Sequence, residues 1–62
     1  MFNMFKVGDL VRVDTKRYGW ETAIIVKPYY SSAGCEWVVS VVADGRRVIC
    51  CPSDLEVISE SR

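Results

Sequence analysis

The stretch Cys35–Cys51, CEWVVSVVADGRRVICC, decides the fold. Val38, Val39, Val41 and Val42 precede Asp44-Gly45, and Val48 and Ile49 follow it. β-Branched runs divided by Asp-Gly are the strongest short-range hairpin signal. Glycine enters φ > 0 without a Cβ clash, and aspartate tolerates that region better than most residues. On the first strand Trp37, Val39 and Val41 share one face, while Glu36 and Ser40 mark the other as the wetter one. A two-residue turn sets Val48 and Cys50 beside Val41 and Val39 on the core face. A three-residue turn with a bulge at Gly45 sets Ile49 and Cys51 there instead. The first register is preferred, because it keeps Arg47 out of the core.

Upstream, Val11 and Val13 alternate with Arg12 and Asp14, the period-2 pattern of a half-buried strand, and Gly8-Asp9 reads as the turn that feeds it. Residues 14–19 break the pattern and form a first loop. Glu21–Lys27 (ETAIIVK) is a second strand with Ala23 and Ile25 on one face and Ile24 and Val26 on the other. Two apolar faces predict a strand that is central or bent across two sheets. Pro28 ends it or places it on an edge, and residues 29–34 form a second loop. Downstream, Pro52-Ser53-Asp54 predicts a tight turn or one 3₁₀ turn, and Leu55–Ile58 a short last strand. The expectation is an all-β, five-stranded small barrel over residues 6–58. An apolar arm (1–5) precedes it, and a polar tail (59–62), expected to fray, follows.

The 62 residues allow one domain. A domain this small buries only about 60% of its unfolded surface and is marginal alone. Eight basic and eight acidic residues cancel, which weighs against a chain whose main task is holding nucleic acid. No apolar run reaches the roughly 18 to 20 residues that span a bilayer. Met1–Phe5 is too short for a signal h-region. The chain is read as cytoplasmic, with no membrane partner, and as a monomer or small homo-oligomer. The three cysteines, Cys35, Cys50 and Cys51, are read as free thiols behaving as small hydrophobes. Adjacent Cys50 and Cys51 point to opposite faces of a strand and cannot jointly grip one metal. Histidine, the commonest general base and metal ligand, is absent. No metal or cofactor is expected.

Trp37 at the head of the third strand, Asp44-Gly45 in the distal turn and Pro52-Ser53 before the last strand resemble the SH3-like family, which carries a tryptophan, a turn glycine and a proline-serine in those places. The front end, Val7-Gly8-Asp9-Leu10-Val11-Arg12-Val13 with Gly19 downstream, looks more like a KOW-type module. Together the resemblance spans about residues 5 to 58, and a lone barrel of this size is similar to the orphan SH3-like proteins of tailed bacteriophages. It implies an SH3-like barrel and, if phage-like, an accessory factor acting on a host protein in the host cytoplasm or a minor virion component. In SH3-like topology the first loop, the second loop and the 3₁₀ turn are neighbours. Here they carry Tyr18 and Trp20, then Tyr29 and Tyr30, then Pro52, the candidate partner-binding residues. Tyrosine and tryptophan present large amphipathic area and dominate interface hot spots.

The family's usual ligand is a proline-rich peptide. The sequence departs from that pattern: its first loop is basic at Lys16-Arg17, and Asp54-Leu55 stands where the family has an asparagine-tyrosine pair. A non-enzymatic protein-binding module is the leading expectation. The alternative is KOW-like nucleic-acid binding, with bases stacking on Tyr18 and Trp20 and with Lys16, Arg17, Arg46 and Arg47 on phosphates. Arg46-Arg47 is expected at the end of the barrel far from the first loop. The acids, Asp9 among them, are read as solvated. No catalytic constellation is present in the sequence.

Overall fold

The computed structural model describes residues 5–32 and 34–59, with Cys35 described by its backbone alone. The expectations for residues 1–4, for Ala33, for 60–62 and for the Cys35 thiol lie outside the described residues. Five antiparallel strands form one sheet: β1 (Leu10–Asp14), β2 (Trp20–Ser31), β3 (Gly34–Val41), β4 (Arg47–Cys50) and β5 (Leu55–Ser59). A 3₁₀ turn, Pro52–Asp54, leads into β5. The order across the sheet is β4-β3-β2-β1-β5, and no pairing joins β4 to β5, so the sheet is open.

One face of the sheet makes the core. Val11 and Val13 of β1, Ala23 and Ile25 of β2, Val39 of β3, Cys50 of β4 and Leu55 of β5 pack there with Phe5. Trp37, Val48 and Val57 are partly buried against this cluster. Each fully buried Val or Ile side chain contributes about 1.5–3 kcal/mol relative to exposure. Phe5, assigned to the N-terminal arm from the sequence, belongs to this core. Its ring meets Trp37 edge-on, with centroids 6.1 Å apart and planes at 66°.

The 12-residue β2 is longer than the sequence suggests. Tyr29, Tyr30 and Ser31, expected in a loop, continue the strand opposite Glu36, Cys35 and Gly34 of β3. Pro28 does not stop it. The β1 pairing ends at Ile24, so beyond that point β2 has β3 as its one strand neighbour, and the absent N–H breaks no second ladder. Of the two alternatives that the apolar faces predict, β2 takes the central one, and a register shift between Ile25 and Lys27 interrupts its pairing with β3. Ser59, assigned to the tail, pairs with Leu10 in β5.

The hairpin keeps its predicted faces but not its register. Val39 lies across from Val48 and Trp37 across from Cys50, two residues away from the expected partners. The cause is the turn. Val41 N–H donates to Arg46 O (2.7 Å) and Gly45 N–H to Val41 O (2.8 Å), which makes residues 42–45 the loop. Asp44 Oδ1 accepts the Arg46 N–H at 3.0 Å and fixes that wider turn, and Gly45 takes φ 76°. An even slip preserves side-chain orientation, so Arg47 still faces solvent.

The lead-in to β1 is tied by a buried carboxylate. Asp9, read from the sequence as solvated, is fully buried. Its Oδ2 accepts the Lys6 N–H at 2.8 Å, and Asp9 N–H donates to Lys6 O at 3.0 Å. Gly8 N–H donates to Ile25 O, and Ile25 N–H to Asp9 O. These bonds fasten the turn to β2 beside its register shift, and Gly8 supplies the φ of 94° that the turn needs.

Candidate functional site

The first loop is held by its own polar groups. Thr15 Oγ1 donates to Gly19 O (2.8 Å) and accepts the Tyr18 N–H (2.9 Å). Asp14 Oδ1 accepts the Lys16 N–H at 3.0 Å. A loop closed this way fixes where Tyr18 and Trp20 emerge.

Trp20 opens β2 and is 49% exposed. Its ring lies 5.3 Å from the Arg12 guanidinium carbon, and Arg12 also pairs with Glu56 at 3.2 Å. Trp20 lines a cleft of about 400 Å³ together with Phe5, Ser53, Leu55, Glu56 and Val57. The cleft therefore runs from the 3₁₀ turn along β5, an outer strand of the sheet. Lys16 Nζ reaches Asp54 and Asp14, each at 3.4 Å, which ties the first loop to the 3₁₀ turn. The hydrogen bond to Asp14 is the main reason the Lys16 ammonium is held above its ordinary pKa. Pro52 is exposed beside Ser53 on the same turn.

Tyr18 faces elsewhere. The Arg46 and Arg17 guanidiniums lie 5.3 Å and 5.5 Å from its ring centroid, and a hollow of about 280 Å³ is lined by Tyr18, Glu21, Asp44 and Arg46. Arg46 pairs with Glu21 at 2.9 Å and with Asp44 at 2.7 Å. The Arg46 N–H, first among several causes, holds the Asp44 carboxyl below its usual range. The Asp44 hydrogen bond raises Arg46 in turn. The β3–β4 turn thus lies against the first loop, not at the far end as expected. The reason is that Ala23 pairs with Val41, which brings the start of β2 and the end of β3 side by side.

Tyr29 and Tyr30 lie at the other end of β2 and share no cleft with Trp20 among the described residues. Of the five candidate residues, then, Trp20 lines the cleft, and Pro52 stands on the 3₁₀ turn whose Ser53 lines it. Tyr18 joins the distal turn, and the two tyrosines of β2 stand apart. Phe5 and Glu56 line the cleft without having been singled out in the sequence. Phe5 reads as part of a generic apolar arm, and Glu56 as one more solvated strand acid.

Cys50 is a buried free thiol and Cys51 an exposed one. Burial, followed by the charges of Asp54, Cys51 and Glu36, pushes Cys50 up from 9.0 to about 11. Cys51 Sγ donates to Glu36 Oε2 at 3.5 Å, and that bond raises its pKa as well. Both thiols are therefore poor nucleophiles near neutrality. Above pH 9 the unfolded chain releases the Cys50 proton while the folded chain retains it, so stability falls between pH 9 and about 11. Urea midpoints measured across that interval should decline, and the decline should be shallower in Cys50→Ala.

Among the described residues no group of three or more His, Cys, Asp or Glu is placed to hold a metal ion, and no helix is long and apolar enough to cross a membrane. Compared with known proteins, the chain matches no family model, no curated protein and no solved structure.

Proposed function

We propose that the chain is a non-enzymatic protein-binding module that receives an extended polypeptide segment in the cleft between Trp20, the 3₁₀ turn and β5. The observation that carries this reading is the cleft itself. Half-exposed Trp20 stands over a floor built from Phe5, Leu55 and Val57, with Ser53 and Glu56 as polar groups at its sides. An aromatic anchor beside an apolar floor is the composition of an interface hot spot. The strand forming one wall lies at the margin of the sheet, where an extended partner can add main-chain hydrogen bonds.

The architecture behind this proposal is an SH3-like barrel left open between β4 and β5. The strand order β4-β3-β2-β1-β5, a long β2 shared by both halves and a 3₁₀ turn ahead of the last strand support that reading. On the resemblance to small phage proteins, the partner is a host protein or a neighbouring virion part.

The nucleic-acid alternative is less well supported. Of the four cations assigned to phosphates, Lys16 is held by Asp14 and Asp54, and Arg46 by Glu21 and Asp44. Arg17, stacked on Tyr18, and Arg47 on the face of β4 have no ion pair among the described residues, so two of the four are offset by acids. Cations already neutralised release few counterions from a phosphate backbone.

The test is selection of binders from a random-peptide display library on the folded chain. Enriched peptides should bind wild type and lose at least about 30-fold in affinity to Trp20→Ala. That variant gives up the cation–π contact with Arg12, worth about 0.5–1 kcal/mol, together with the half of the ring that is covered, and circular dichroism verifies that it stays folded. A library that yields nothing, alongside oligonucleotide binding that falls steeply with salt, would reverse the ranking of the two readings.

A further inference from the structure

Among the described residues Lys16 is the one non-glycine with a positive φ, 66°. A side chain in that region is strained, and it persists where the surrounding structure holds it. Here Asp14 Oδ1 accepts the Lys16 N–H, and Arg17 N–H donates to Thr15 O. Thr15 N–H and Thr15 Oγ1 both donate to Gly19 O. The loop is thus closed on itself, and what holds Lys16 also holds Trp20, which follows Gly19.

The ammonium of Lys16 meets a segment distant in sequence. Val13 of β1 pairs with Leu55 of β5, so Asp14 and Asp54 come next to one another at the end of that ladder. Like charges set opposite one another repel. Lys16 Nζ stands 3.4 Å from each carboxylate and offsets both. Asp54 is fixed in turn by its N–H to Cys51 O, and its neighbours Ser53 and Leu55 line the cleft. Trp20 lines the same cleft from the loop. Among the described residues no other side-chain hydrogen bond or ion pair joins this loop to the 3₁₀ turn.

We infer that Lys16 is the positioning residue of the cleft: its ammonium, held between Asp14 and Asp54, sets how far the 3₁₀ turn stands from Trp20. The inference rests on the protein-binding reading of that cleft. Without the ammonium, the two carboxylates push the turn away from the loop and the cleft no longer fits an extended segment. The consequence is a salt response, because ions screen exposed charges. In wild type they weaken an attraction, so affinity falls. Without Lys16 they weaken a repulsion, so affinity rises. An uncharged ligand therefore binds with a salt dependence whose sign is set by the side chain at position 16. One exposed ion pair bounds the effect at about 3- to 5-fold.

Lys16→Gly is the variant of choice, because glycine adopts the left-handed backbone freely and should keep the thermal midpoint within a few degrees of wild type. The probe is the tightest peptide from a display library built without Asp, Glu, Lys or Arg. At low salt Lys16→Gly should bind it about 3- to 5-fold more weakly. Asp54→Asn removes attraction and repulsion together and should lose less. The double variant K16G/D54N should bind as Asp54→Asn does, and better than Lys16→Gly. Referred to that double variant, added salt should weaken wild type and strengthen Lys16→Gly. In ligand-free ¹H–¹⁵N spectra, added salt should move the Trp20 indole N–H and the Ser53 amide in opposite directions in the two proteins. Unchanged binding by Lys16→Gly, a double variant weaker than Lys16→Gly, or salt responses of one sign would overturn the inference. A library without a binder counts against the protein-binding reading alone. The spectra then decide the role of Lys16, and shifts in the same direction, or none, overturn it.

Discussion

Replacing Trp37 with alanine is expected to remove most of the protein's stability and to lower its melting temperature steeply. Trp37 covers the core from β3 and meets Phe5 edge-on at 6.1 Å. It also stands opposite Cys50, whose thiol contacts its carbonyl oxygen at 3.7 Å. Truncating a core tryptophan costs about 3–5 kcal/mol, and partial exposure of this ring puts the loss near the lower figure. A domain this small rarely has more than about 3–5 kcal/mol in total, so one substitution removes most of it. Trp37→Phe keeps an aromatic ring against Phe5 and should be much milder. Thermal unfolding followed by circular dichroism distinguishes the three proteins. A Trp37→Ala chain that melts cooperatively within a few degrees of wild type would place the ring outside the core.

The second large effect is expected at Asp9. Its carboxylate is fully buried and accepts the Lys6 N–H at 2.8 Å. Asp9→Ala leaves that N–H without its acceptor, at about 1 kcal/mol for a part-buried bond. It also loosens the turn that fastens the front of β1 to Ile25. Asp9→Leu should be worse, because it adds apolar bulk where a polar group fits. Asp9→Asn retains a side-chain oxygen and should lose least. Urea titrations read by tryptophan fluorescence should rank them wild type, Asn, Ala, Leu in falling midpoint. An unchanged midpoint in Asp9→Ala would remove the carboxylate from the account of the fold.

The strands were legible where local chemistry decides them. Alternation at Val11 and Val13 gave β1, and Asp-Gly gave the β3–β4 hairpin. Pro52-Ser53-Asp54 gave the 3₁₀ turn. The two apolar faces of ETAIIVK predict a strand either central or bent across two sheets, and the central alternative holds, with a register shift between Ile25 and Lys27 inside the one sheet. What could not be read depends on partners distant in sequence. The hairpin register was set by the Asp44 side chain capping Arg46, not by the Asp-Gly pair alone. β2 ran through Pro28 because β1 stops short beside it, a fact held in another segment. Asp9 looked like any surface acid until the turn folded around it. The candidate site followed the same division. Of the five residues singled out in the sequence, only Trp20 lines the cleft. Its separation from Tyr29 and Tyr30 came from the length of β2, which sequence pattern had cut short.

The most direct test of the binding account is a ¹H–¹⁵N correlation spectrum recorded while a selected peptide is titrated in. Shifts are expected at the Trp20 indole N–H and at the amides of Ser53, Leu55, Glu56 and Val57, with the Ile24, Ile49 and Arg47 amides unmoved. Shifts confined to Arg46 and Arg47, or spread over the sheet with Trp20 silent, would contradict binding in the cleft.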